Sequence, residues 1–111
     1  MGKQDCGLDD RIRIKMKKYL VTITFEWNEE MMQLIPEHRD YINELIDEHV
    51  IEHYVVSMEI QTTWVTINAE NKREARKILS KSPFFKHWKL RVNELIVWDG
   101  QNYRLPAVQL N

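Results

Sequence analysis

Glu52-His53-Tyr54-Val55-Val56-Ser57-Met58-Glu59-Ile60-Gln61-Thr62-Thr63-Trp64-Val65-Thr66-Ile67-Asn68 is the stretch on which the fold turns. Both of its arms are rich in β-branched and aromatic residues, which fit a pleated surface. Glu52 to Glu59 reads as one strand, with Val55, Val56 and Met58 as its apolar positions. Gln61-Thr62 reads as the hairpin connection, and Thr63 to Asn68 as the next strand. Along that second arm Trp64 and Thr66 alternate with Val65 and Ile67, so the two pairs point to opposite faces.

Working outward toward the C-terminus, Asn71-Lys72-Arg73-Glu74 matches a capping box, with Asn71 as N-cap and Glu74 reaching back. Ala75, Ile78 and Leu79 share one face of the helix that follows, and Ser82-Pro83 stops it. Trp88 to Trp98 supplies a last strand, with Leu90 and Val92 inward and Leu95 and Val97 as further inward candidates. Asp99-Gly100 makes a turn, and the tail runs from there to Asn111. Toward the N-terminus, Ile42, Leu45, Ile46 and Val50 recur at helical spacing. That helix is expected to begin near Pro36, since proline suits a first turn and not an interior, and to end at about His49. Met31 to Ile35 then becomes a turn or prelude behind Asn28-Glu29-Glu30. Tyr19, Val21, Ile23 and Phe25 alternate with Leu20, Thr22 and Thr24 in a first strand.

The order is β-α-β-β-α-β, the split βαβ or ferredoxin-like arrangement of the α+β class. It predicts a four-stranded antiparallel sheet with two helices on one face. The domain is expected to span residues 16–99, between a flexible leader at 1–15 and a tail at 100–111.

Composition narrows the function classes. With 111 residues the chain has the length of one domain. It has a single cysteine, Cys6, so no internal disulfide framework is available. No apolar run approaches the roughly 20 residues of a membrane span, and no signal-peptide core is visible. A cytoplasmic location without membrane association is therefore expected. A formal net charge of −1, with acids and bases interspersed, gives none of the basic footprint of a nucleic-acid binder. Gly2, Gly7 and Gly100 are the only glycines, so no glycine-rich phosphate loop exists.

Two helices cover one face of such a sheet and leave the other open. Leu20, Thr22, Thr24, Trp64, Thr66 and Arg91 fall on the open face by alternation. That mixture is less charged than a fully solvated surface, which predicts cover from a second copy of the chain, sheet against sheet, around a small cavity.

Several side chains are candidates to work there. His38 lies four residues before Ile42 and seven before Leu45, on or beside the buried stripe, where imidazole can exchange protons near neutral pH. Its competing role is that of a boundary histidine. Trp64 and Tyr54 are candidate cavity walls, Tyr54 offering a hydroxyl to a ligand oxygen. Arg91 is a candidate carboxylate anchor, against a plain salt bridge to Glu59 or Glu94. His53 and Glu59, six residues apart on one strand, are candidates for one face, roughly 20 Å from each other. His49 and His53 have a helical ligand spacing interrupted by a strand start, and no carboxylate–histidine metal motif is present. No metal and no cofactor is expected.

The order of elements, the Leu34-Ile35-Pro36-Glu37-His38-Arg39 run and the Ser82-Pro83-Phe84-Phe85 stop resemble muconolactone delta-isomerase-like proteins. These belong to the dimeric α+β barrel group, with the YCII-like proteins and small cofactor-free monooxygenases. The resemblance runs over roughly residues 16–99. It implies a homodimeric α+β barrel and a small organic ligand, with cofactor-free proton transfer, as in lactone isomerisation, as the reaction if there is one. In that reading His38 is the acid–base group, Arg91 the anion anchor and Trp64 with Tyr54 the wall. A non-catalytic binding or interaction domain on the same scaffold is the alternative, and a cofactor-independent monooxygenase a weaker one. The sequence departs from the pattern in carrying no glycine at Asp47-Glu48-His49-Val50, where relatives often have one, and in lacking a full match to the isomerase residues.

Overall fold

A computed structural model describes residues 16–97 of the chain. The expected leader, the tail, Trp98 and the Asp99-Gly100 turn lie outside the described residues. The elements run β1 (Lys17–Phe25), α1 (Glu29–Asp47), β2 (Ile51–Ser57), β3 (Thr62–Ala69), α2 (Lys72–Leu79), a 3-10 turn at Phe85–His87, and β4 (Trp88–Leu95). The strands form one sheet in the order β2-β3-β1-β4, and every neighbouring pair is antiparallel. The α+β class and the split βαβ order are therefore as the alternation and the helical spacing predict.

The core follows from period two in the strands and 3.6 in the helices. Tyr19, Val21 and Ile23 of β1 and Val65 and Ile67 of β3 are buried on one face. Met31, Ile42 and Leu45 of α1 and Ala75 and Leu79 of α2 join them in one cluster. The Tyr41 hydroxyl donates to the Ile78 carbonyl at 2.7 Å and fastens the two helices together. No helix among the described residues is long and apolar enough to cross a membrane.

Four boundaries differ from expectation. First, α1 starts at Glu29 rather than at Pro36 and runs straight through the proline. Asn28 caps it, its side chain accepting from the Met31 amide at 2.9 Å. The missing Pro36 amide frees the Met32 carbonyl, and both residues are exposed, so water replaces the lost bond. Second, β2 ends at Ser57, and Glu59 lies in an exposed turn instead of on the strand with His53. The turn continues through Gln61, whose φ of 49° is left-handed, a conformation with no glycine to announce it. Third, β3 begins at Thr62, so Gln61-Thr62 is not itself the connection. Fourth, β4 stops at Leu95; Leu95 pairs with Lys18 on the open side and Val97 is exposed.

The end of α1 explains the absent glycine. The Val50 amide donates to the Leu45 carbonyl at 2.9 Å and the His49 amide to the Ile46 carbonyl at 3.0 Å, the two bonds of a Schellman motif. His49 fills its left-handed position at a φ of 63°. A non-glycine residue there carries a cost of roughly 1 kcal/mol. The variant His49→Gly is thus expected to raise the unfolding free energy by about 0.5–1 kcal/mol, read from the shift of the urea midpoint at constant slope. An unchanged or lower midpoint would contradict this account of the helix end.

One irregularity bears on the open face. Ile51 pairs with Ile67 and His53 with Thr66, so Glu52 is an extra residue and β2 is bulged there. Lys18, only 5% exposed, sits in this region, with its ammonium 2.6 Å from Glu52 and 3.0 Å from the Asn68 amide oxygen.

Candidate functional site

Beneath the sheet, α1 carries His38 into the core, where it is 2% exposed. Both ring nitrogens have partners. Nδ1 lies 2.7 Å from the Ser82 hydroxyl and Nε2 lies 2.6 Å from the Tyr54 hydroxyl. The Ser82 oxygen also accepts from the Phe84 amide at 3.0 Å, so the Ser82-Pro83-Phe84 turn that ends α2 is built around it. The imidazole stacks on the Phe84 ring with centroids 4.1 Å apart and meets Trp88 edge-on at 5.5 Å.

This enclosure sets the charge states. Burial, with a smaller contribution from the Arg39 charge, holds His38 well below the ordinary imidazole value, at about 4. Burial pushes the Tyr54 phenol up to about 12, against the opposing pull of Arg39 and of a hydrogen bond with Thr63. At neutral pH the pair is therefore a neutral imidazole and a neutral phenol. With the proton on Nε2, Ser82 donates to Nδ1 and Nε2 donates to Tyr54, leaving the phenol to donate to its other partner, Thr63. With the proton on Nδ1 the chain runs the other way. Either arrangement satisfies the ring with the imidazole and both hydroxyls neutral.

Tyr54 faces a cavity of about 50 Å3 lined also by Phe25, Trp27, Met31, Val56, Met58, Thr63, Phe84 and Trp88. That is well short of the roughly 150 Å3 of a cavity that takes up benzene. Its walls are movable, however. Val56 and Met58 are exposed at the sheet edge, and methionine adapts its shape readily. Trp27 leans edge-on to both Phe25 and Phe84. Its backbone amide donates to the Gln61 side chain at 2.6 Å, which ties the β1–α1 loop to the β2–β3 turn.

The sheet divides the residues singled out from sequence. His38 and Tyr54 are brought together under it. Trp64 and Arg91 sit on the other face, in a cross-strand row of Val55, Trp64, Thr22 and Arg91. His53 is on that face too, its Nδ1 3.3 Å from the Thr66 hydroxyl. Trp64 and Arg91 therefore share no cavity with His38, and Glu59 lies in the exposed β2–β3 turn. Trp64 and Thr22 are half-buried within a single chain, because neighbours on a pleated face shield one another.

Sequence reasoning missed Ser82 as a partner of His38, 44 positions away, and the cluster that the ring makes with Phe84 and Trp88. It also missed a second depression of about 490 Å3, beside the end of β1, lined by Thr24, Glu26, Trp27, Asn28, His87 and Lys89 among others. At its rim Glu30 contacts Lys86 at 2.6 Å and His87 at 3.2 Å, and the lysine contact in particular holds the Glu30 carboxyl below its usual value. Among the described residues no group of three or more His, Cys, Asp or Glu side chains is placed to hold a metal ion.

Fold and site together define a small α+β domain with a buried, uncharged hydroxyl–imidazole–phenol chain ending at an apolar cavity. No family model matches the chain, and no curated protein matches it either.

Proposed function

We propose that the protein is a muconolactone isomerase-like small-molecule-binding domain, acting as a homodimer. Its ligand is a lactone or a comparably small ring compound or organic acid, seated against Tyr54 in an enlarged form of the apolar cavity. The observation that carries this reading is the placement of Tyr54: its hydroxyl is held by a neutral buried histidine and by Thr63, and Tyr54 and Thr63 both line the cavity. A phenol so positioned can give its proton to a ligand oxygen and recover one from a ligand carbon, so the transfer balances within the ligand while neutral His38, held by Ser82, keeps the hydroxyl in place. That is the equipment for cofactor-free proton transfer.

Binding without catalysis is the second reading, and one observation favours it. Both nitrogens of His38 are already engaged, so the ring has no free lone pair to present to a substrate. In either case Tyr54 is the group that touches the ligand, and His38 positions it. Apolar walls and neutral polar groups select an uncharged ring more readily than an anion, since Arg91 is on the far side of the sheet.

The test is an NMR titration of the His38 and Tyr54 ring resonances with a panel of small lactones and aromatic acids. Expected is a saturable shift of both rings by at least one lactone, weakened about tenfold in Tyr54→Phe, which removes one hydrogen bond of roughly 1.4 kcal/mol. Rings that respond to none of the panel, with Tyr54→Phe indistinguishable from the parent, would overturn the proposal.

A further inference from the structure

The two outer strands of the sheet are finished differently. β4 carries Lys89, Arg91 and Glu94, all exposed, the charged decoration that keeps an edge from pairing with another chain. β2 has no such protection from Tyr54 to Ser57. Val55 is 52% exposed and Val56 is 44% exposed, on opposite faces of the strand. The turn that follows adds Met58 at 51% and Ile60 at 60%. An outer strand also offers one row of backbone amides and carbonyls that β3 does not use. Among the described residues β2 is the edge strand that carries exposed large apolar side chains within the strand itself; Ile96 at 83% and Val97 at 72% lie past the end of β4.

From this we propose that two copies of the chain pair antiparallel along β2, about a two-fold axis at Val55, to form one continuous eight-stranded sheet. The inference rests on the homodimer reading above and places its interface at the strand edge, whereas the resemblance implies stacking of one sheet on the other. The occupant is a second copy because the strand is complementary to itself. With Val55 opposite Val55, Tyr54 faces Val56 and His53 faces Ser57, so no two like charges oppose each other along the regular part of β2. Opposed residues point to the same side in an antiparallel pair, which keeps apolar Val55 on the open face and Val56 on the helix face. The same operation applied to β4 about Arg91 would set two guanidinium groups against each other, and like charges directly opposite destabilise; about Val92 it would oppose no like charges but would bury the exposed Lys89, Arg91 and Glu94 at the seam in place of exposed apolar residues.

The register has a second effect. Tyr54 of one copy stands opposite Val56 of the other, on the helix side. Both residues line the cavity beside His38, and Val56 and Met58 are its exposed wall. A second copy on this edge therefore covers the open side of each cavity, so the pocket is complete only in the pair.

Sedimentation at micromolar concentration distinguishes the cases. The parent chain is expected to sediment as a dimer. Val55→Lys puts two ammonium groups face to face at the axis and is expected to weaken the dimer by at least about tenfold. Val55→Ile keeps it, and so does Arg91→Glu on the open face. Far-ultraviolet circular dichroism shows that each variant is folded, as expected for changes at exposed positions. A parent that stays monomeric overturns this inference and the homodimer reading together, leaving the cavity reading to its own titration. Survival of the dimer in Val55→Lys, or its loss with Arg91→Glu whatever Val55→Lys does, overturns the edge alone; the second result places the contact on the open face.

Discussion

Replacing His38 with alanine is expected to destabilise the domain by about 4 kcal/mol, the largest effect of any single change at the site. Three losses combine. The imidazole stacks on Phe84 and abuts Trp88, and its removal leaves a void in a packed core. The Tyr54 and Ser82 hydroxyls each lose a short hydrogen bond in a place with little access to water. A domain of this size has on the order of 4–12 kcal/mol of stability in all, so the alanine variant will be marginal at room temperature. Gentler variants keep the idea testable. Tyr54→Phe and Ser82→Ala should each cost roughly 1–2 kcal/mol, and the pair should depart from additivity by 0.5 kcal/mol or more, roughly, because both act on one ring. Urea unfolding of the four proteins gives the cycle. Strict additivity, or an alanine variant within about 1 kcal/mol of the parent, would mean that the chain is not a connected unit.

Acid should unfold the protein through the same residue. An unfolded histidine titrates near 6.5, whereas folded His38 titrates at about 4. Between those values the unfolded chain binds a proton that the folded chain refuses, so stability falls as the pH falls. Above about 6.5 the effect is absent; by about pH 4 it amounts to something like 3 kcal/mol. Carboxylates add their own losses at the lower end, the exposed Glu30 among them, since its lowered value makes its protonation unfavourable in the folded state. The contribution of His38 is isolated by comparison with His38→Gln. The parent should lose more stability than that variant between pH 7 and pH 4.5, although it is the more stable of the two at pH 7. Parallel pH profiles for the two proteins would show that His38 titrates normally in the fold.

What could be read from one dimension, and what could not, divides along physical lines. Alternation in Tyr19 to Phe25 and Trp64 to Ile67 gave the two faces of the sheet, because strand periodicity is local. Helical spacing placed His38 against the core for the same reason. The start of α1 was misjudged because the proline rule is a cost, not a prohibition, and at an exposed position water absorbs it. The reach of β2 was overestimated because apolar residues continue through Met58 and Ile60, and no glycine marks the turn at Gln61. The candidate site was harder still. Tyr54 and Trp64 look like neighbours on adjoining strands, but their faces depend on register, and β2 gains a residue at Glu52. Nothing local joins His38 to Ser82.

The attachment of the β1–α1 loop to the hairpin has a mechanical consequence. Gln61 receives the Trp27 amide on its side chain and the Phe25 amide on its backbone carbonyl, the latter at 3.2 Å. A single residue thereby buttons two loops that are 34 positions apart in the chain. Trp27 cannot swing aside like a freely hinged door; it must either unbutton or carry the tip of the hairpin with it. Admission of a guest would then be a concerted, comparatively slow event that leaves its mark on amide exchange at both loops together.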